Sequence, residues 1–153
     1  MHTQRLDPQI IPEGYKALAG VERYLAQCGL EKSLVELVKL RASMINGCAF
    51  CVDMHTKDAR KGGETEQRLY LVSAWAESAA FTARERAALA WTDCLTRIAT
   101  EGAPDATYEA LRAHFSETEI ANLTTLIGMI NLWNRLAIAF RMQHPVAVRA
   151  AAA

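Results

Sequence analysis

Charge of one sign is missing from this chain. Seventeen basic side chains are matched by seventeen acidic ones over 153 residues, so no polycationic surface is expected and neither nucleic acid nor an anionic membrane is an electrostatic partner. Long apolar runs are missing too: no stretch approaches the ~20 apolar residues a membrane helix needs. Residues 1–30 lack the charged head and apolar stretch of a secretory signal. Together these absences predict a cytoplasmic protein outside the membrane. Four cysteines are too few for a disulfide framework, and in a reducing compartment a close pair of them suits catalysis or metal binding better than a structural staple. No linker, low-complexity block or internal repeat interrupts the chain, and no stretch alternates as a half-buried strand would. One all-helical domain over residues 1–153, with its core at about 10–142, is the expectation.

The helices announce themselves by their ends. Pro8 and Pro12 lie in an extended lead-in to a first helix at about 13–28, stopped by Gly29 as a C-terminal glycine cap. A second helix is expected at about 31–45, broken by Asn46-Gly47, and a third from Cys48 to Gly62-Gly63. A short fourth covers about 64–74. Thr82 with Glu85 forms a capping-box pattern opening a helix to about 100, and Ser116 with Glu119 opens another that reaches 142. Pro104 starts a short helix between them, ending near Phe115, and residues 145–153 form a frayed tail.

What is present, and concentrated, is reactive chemistry. Cys48 and Cys51 make a CxxC pair, His55 follows four residues later, and Glu36 lies twelve residues before Cys48. At 100° per residue the two cysteines and the histidine fall within an arc of about 60° on one face of the third helix. On one straight rod Glu36 would be ~18 Å from Cys48. A tight antiparallel hairpin at Asn46-Gly47 instead brings Glu36 opposite His55, so a Glu36–His55 hydrogen bond is predicted, with His55 near Cys51.

Each residue then has a task. Either cysteine could be the attacking thiolate: Cys48 is nearer the positive end of the helix, while Cys51 has the imidazole within reach. Cys51 is favoured, with His55 taking its proton, Glu36 orienting the ring and Cys48 resolving. Peroxide attack converts Cys51 to a sulfenic acid, Cys48 condenses with it to a disulfide, and an external dithiol reduces the bridge.

The segment running from Glu36 through Cys48-Ala-Phe-Cys51-Val-Asp-Met-His55 resembles the core signature of the alkylhydroperoxidase D family, within the carboxymuconolactone decarboxylase superfamily. The matching pattern is a glutamate, eleven residues, CxxC, three residues and a histidine. The resemblance continues through Trp75, the segment from Phe81 to Leu89 and Asn131-Leu-Trp-Asn-Arg135. It implies an all-helical fold assembled as a homo-oligomer, a trimer or hexamer. It also implies a thiol-dependent peroxidase that needs no bound cofactor or metal and draws electrons from a lipoyl-bearing or thioredoxin-like protein. By the same match Cys51 attacks the peroxide, Cys48 resolves, and Glu36 with His55 relays protons. One position departs: Phe50 stands where the characterised peroxidase has a further histidine.

Other assignments compete with this one. Zinc could take Cys48, Cys51 and His55, with Glu36, His114 or His144 as fourth ligand. The dithiol could switch an oligomer between states without turnover, or the chain could be a lyase of the decarboxylase branch. Glu36 could pair with Lys32 or Lys39 on an exposed stripe, although Leu34, Val35, Leu37, Val38 and Leu40 surround it with apolar positions. Cys28, Cys94, Trp75, Trp91 and Trp133 read as core or interface residues.

Overall fold

In the computed structural model, which describes residues 3–147, every regular element is helical and no strand occurs among the described residues. Eight α-helices follow in order: α1 Pro12–Leu25, α2 Lys32–Asn46, α3 Ala49–Lys61, α4 Glu66–Leu71, α5 Ala83–Thr96, α6 Ile98–Glu101, α7 Asp105–Arg112 and α8 Glu117–Phe140. Two 3₁₀ segments, Pro8–Ile10 and Val72–Glu77, join them.

The centre of the fold is α2. Its Leu37, Val38, Leu40 and Ala42 are completely buried, as expected of a helix that is apolar around most of its circumference and is covered on several sides. It packs on α3, α5 and α8. On one side Leu34 and Val38 meet Trp91, Leu123 and Ile127 in the main core. On the other, Leu37 and Leu40 meet Ala59, Leu69, Val72 and Leu89. Arg41 ties α2 to α5 through a two-pronged pair with Asp93, both contacts 2.6 Å, and its remaining arm donates to Ser73 O.

The helix ends follow their local chemistry, with a few displacements. Both capping boxes form: Thr82 with Glu85 and Ser116 with Glu119 exchange both hydrogen bonds. The first helix ends at Leu25, before the expected 28, because a turn intervenes before Gly29, whose φ is +93°. The fifth breaks at Arg97, and a separate single turn continues to Glu101. Pro104 is the residue before α7, with extended ψ 137°, and Asp105 is the first helical one. The fourth helix stops at Leu71 and tightens to 3₁₀ geometry. Residues 145–147 have no regular structure, and the rest of the expected frayed tail lies outside the described residues.

By length and average composition alone, helix α8 could cross a membrane, although Asn122, Thr124, Thr125, Asn131, Asn134 and Arg135 interrupt its apolar run. In this fold its Leu123, Leu126, Ile127 and Ile130 are buried in the protein, each at most 1% exposed.

The turn that positions the site is Gly47. It caps α2 in the left-handed region at φ +69°, which non-glycine residues reach only at a cost of roughly 1–2 kcal/mol. A Cβ there would meet no neighbour, so the penalty of Gly47→Ala is that of the backbone alone. We expect the variant to fold with a melting temperature lower by roughly 3 °C, measured by circular dichroism. An unchanged midpoint would mean that the hairpin is held by packing and not by this dihedral.

Candidate active site

With Gly47 reversing the chain, Cys48 N–H donates to Ser43 O at 3.0 Å and Cys48 becomes the N-cap of α3. Helices α4, α5 and α8 are capped by the hydroxyls of Thr65, Thr82 and Ser116. In α3 a sulfur does that work: Cys48 Sγ accepts from Cys51 N–H at 3.3 Å. A cap that points amide hydrogens at a sulfur favours its thiolate.

The two thiols are free and buried, at 1% and 2% exposure. They ionise as a pair. The Cys48 thiol is lowered to about 7, first by a hydrogen bond from the Cys51 side chain, with help from the Cys51 and Phe50 amides and from Asn134, and against the opposing effect of burial. Cys51 is pushed up because its S–H serves Cys48, because it is buried, and because the Cys48 charge is adjacent.

The predicted hairpin contact is present. Glu36 Oε2 lies 2.9 Å from His55 Nδ1, and His55 is 5% exposed. An ionised carboxylate can only accept, so Nδ1 carries the hydrogen and Nε2 is left as the basic nitrogen. Lys39 does not compete for Glu36, because Glu22 holds it at 2.9 Å.

Three hollows meet at this point. Cys51 and His55 line an apolar cavity of about 300 Å³, walled by Phe50, Met54, Ile130 and Trp133. Cys48 lines a different, open groove of about 360 Å³ with Gly47, Ile138, Arg141 and His144. Glu36 borders a third hollow, where Lys32, Lys39, Asp58 and Glu64 lie beside Leu25, Leu30 and Leu126. The two sulfurs therefore line different hollows, which adjoin at Phe50, Ala137 and Met142, and the carboxylate borders another.

As to metal ligands, donor atoms of Glu36, His55 and Asp58 lie within 4.8 Å of one another. The cysteines do not join that set, nor do His114 or His144, so the zinc arrangement expected as an alternative is not assembled among the described residues. Cys28 and Cys94 are half-buried and away from the pair, Cys28 against the main core and Cys94 facing Thr107.

Two groups of residues were missed from sequence. Trp133, read as core, lines the apolar cavity and donates its indole N–H to Glu22 at 2.9 Å. Asn46, Asn131 and Asn134 form a linked amide network beside the cysteines. Two asparagines three residues apart in the otherwise apolar α8 were the available signal, since a buried amide is costly without partners.

The site thus joins a CxxC that caps a helix to a glutamate–histidine pair across a hairpin, within an all-helical architecture. The sequence profile of the Carboxymuconolactone decarboxylase family matches residues 12–93. The Bacillus subtilis (strain 168) protein YdfG is 44% identical over 131 residues, 86% of this chain and 89% of that protein. A crystal structure from Agrobacterium tumefaciens, of a protein of unknown function described as an AhpD antioxidant defence protein, is 51% identical with a TM-score of 0.92, covering 95% of this chain and 100% of that one. A peroxidase-related protein from Silicibacter sp. TM1040 is 26% identical with a TM-score of 0.77, covering 86% and 70%. The chain belongs to the carboxymuconolactone decarboxylase family, among its alkylhydroperoxidase D-like members.

Proposed function

We propose that this protein is a cytoplasmic thiol peroxidase that reduces organic hydroperoxides through Cys51 and Cys48, with Glu36 and His55 as proton relay and an external dithiol as reductant. The observation that carries the reading is the apolar cavity ending on Cys51 and His55, next to a second cysteine already lowered to about 7. A cavity of this lining favours an alkyl or aryl hydroperoxide over hydrogen peroxide, because apolar surface is what it can bury.

Cys51 is the harder of the two thiols to ionise, so His55 Nε2 takes its proton as the sulfur attacks the terminal peroxide oxygen. The O–O bond breaks, and the alkoxide leaves as an alcohol with the proton from His55. Cys48 thiolate then attacks the Cys51 sulfenic sulfur, the S–O bond breaks, and the hydroxide takes a proton from solvent, equivalent to the one Cys48 released on ionising, and leaves as water. Its low pKa makes Cys48 a ready resolving group. A dithiol approaching through the outer groove attacks Cys48, and the Cys51 thiolate leaves and is protonated beside His55. The partner's second thiol then releases Cys48 and carries away the disulfide. Helical subunits of this kind are expected to assemble as a trimer or hexamer, and a lipoyl-bearing or thioredoxin-like protein suits the reductant. Protons reach solvent by way of Glu36 and the hollow it borders.

The test is mass spectrometry before and after one equivalent of cumene hydroperoxide on the metal-free protein. A loss of two hydrogens mapped to Cys48 and Cys51, reversed by a dithiol, is expected. An unreactive pair, or a protein that instead takes up zinc stoichiometrically, would move the chain to a metal-responsive role.

A further inference from the structure

We infer that Glu22 is a positioning residue for this site: one of its carboxylate oxygens holds Lys39 away from the relay carboxylate Glu36, and the other fixes Trp133 in the wall of the apolar cavity. This rests on reading Glu36 and His55 as the proton relay and the cavity as the substrate site, and it adds a residue of α1, a helix that carries none of the reactive groups.

Glu22 sits in the last turn of α1. Its Oε2 accepts from Lys39 Nζ at 2.9 Å, and its Oε1 accepts the single N–H of the Trp133 indole, also at 2.9 Å. Tyr15, two turns earlier on α1, meets the same indole edge-on, with ring centroids 5.7 Å apart. Helix α1 thus fixes Trp133 of α8 by a ring contact and a hydrogen bond. Glu22 and Lys39 line both the apolar cavity and the hollow that Glu36 borders, so their pair stands where the two meet. The Lys39 side chain is only 14% exposed, too enclosed to leave its charge to solvent alone.

The same lysine has a second carboxylate within helical reach. Glu36 lies three residues before Lys39 on α2, the spacing at which helix side chains are neighbours and a glutamate followed by a lysine attract each other. In the structure that attraction is not expressed: Lys39 turns to Glu22, and Glu36 Oε2 is 2.9 Å from His55 Nδ1. The other two acids of the hollow are engaged elsewhere, Glu64 with Arg68 at 2.8 Å and Asp58 with Lys61 at 3.7 Å. Without Glu22, Glu36 is therefore the carboxylate left to Lys39. An ammonium on Glu36 draws off the charge that accepts the His55 hydrogen, so the ring is held less firmly in the tautomer that leaves Nε2 basic. Trp133 at the same time loses the acceptor of its indole N–H, and with it the fixed wall of the cavity. Lys32 borders the hollow too, but it is retained in every variant compared and contributes equally to all.

Two readouts separate these roles without requiring turnover: nitrogen NMR of the His55 ring, which reports its tautomer, and the affinity for 2-phenyl-2-propanol, the alcohol left from cumene hydroperoxide, by NMR titration. In Glu22→Ala we expect the Nδ1–H preference of His55 to weaken and the stopped-flow peroxide step to slow by up to about tenfold, the loss expected when the Glu36 charge is removed. The alcohol should bind about fivefold more weakly. Adding Lys39→Met removes the competing ammonium, so the tautomer and the rate should return while the alcohol still binds weakly. Trp133→Phe should give the reverse split, weak alcohol binding with the wild-type tautomer. A Glu22→Ala protein with wild-type tautomer and affinity overturns the proposal, and so does a tautomer that Lys39→Met fails to restore. Glu22→Gln keeps the shape and one acceptor oxygen, which guards against a truncation that does not fold. It should move both readouts in the same directions by less, and a folded Glu22→Gln protein with both at wild type also overturns the role. If the wild-type protein binds the alcohol but consumes no hydroperoxide, it is the peroxidase reading that has failed, and the tautomer and the affinity still decide the part played by Glu22.

Discussion

Cys51→Ser should bring dithiol-dependent reduction of cumene hydroperoxide down to the uncatalysed rate, whereas Cys48→Ser should support one reaction per subunit and stop with a sulfenic acid on Cys51. The difference follows from where each sulfur opens. Cys51 shares the apolar cavity with His55, and Cys48 borders the outer groove. A dimedone trap located by peptide mass spectrometry reads the result. A label on Cys48 in the Cys51→Ser protein, with peroxide consumed, would invert the two roles. The lowered Cys48 thiol adds a pH signature with a definite sign. Above its midpoint in the sulfenic acid state Cys48 is a thiolate and closes the disulfide quickly. Below that, its thiolate fraction falls about tenfold per pH unit, so the Cys51 sulfenic acid should persist longer as the solution is acidified. A sulfenic acid lifetime independent of pH between 5 and 8 would show that Cys48 ionisation does not control closure.

Much of this site was legible because its parts are local. The CxxC, the histidine one turn on, and the glycine that reverses the chain are all within ten positions, and helix geometry alone puts three of them on one face. The Glu36–His55 contact was also reachable, since a hairpin pairs residues about equally far from its turn. Apart from Asn46, the residues that escaped reading come from α8, more than seventy positions away in the chain. Nothing in the spacing of Asn131, Trp133, Asn134 and Ala137 says which helix they face. That register is set by side-chain packing over the whole core, and the pattern only marks them as oddly polar or aromatic for an apolar helix.

The helix ends divide in the same way. Thr82 and Ser116 carry their capping chemistry in four residues and were read correctly. The ends at Leu25 and Thr96 depend on tertiary packing and turns that no local signal encodes. Cys48 illustrates the overlap between fold and function: the backbone needs an acceptor at that cap, and supplying it with sulfur makes a structural position reactive. Phe50, which replaces the family's extra histidine, lines both the cavity and the outer groove and so leaves His55 as the imidazole that lines the cavity.

His55→Gln should slow the peroxide step by about 100-fold at neutral pH, the range lost when a positioned general base is removed. Glu36→Gln should slow it less, on the order of tenfold, because a neutral amide can still hold the ring but stabilises its charged form more weakly than a carboxylate does. Stopped-flow oxidation of the dithiol by cumene hydroperoxide measures both, with thermal melts as the control. A Glu36→Gln protein that loses stability and keeps its rate would make the pair a structural clamp between α2 and α3. The double variant is the sharper comparison. Glu36 touches His55 at 2.9 Å and reaches the cysteines only through it, so the double variant should be no slower than His55→Gln alone. If instead the two losses multiply, Glu36 acts by a second route, and the hollow it shares with Asp58 and Lys39 is where that route would run.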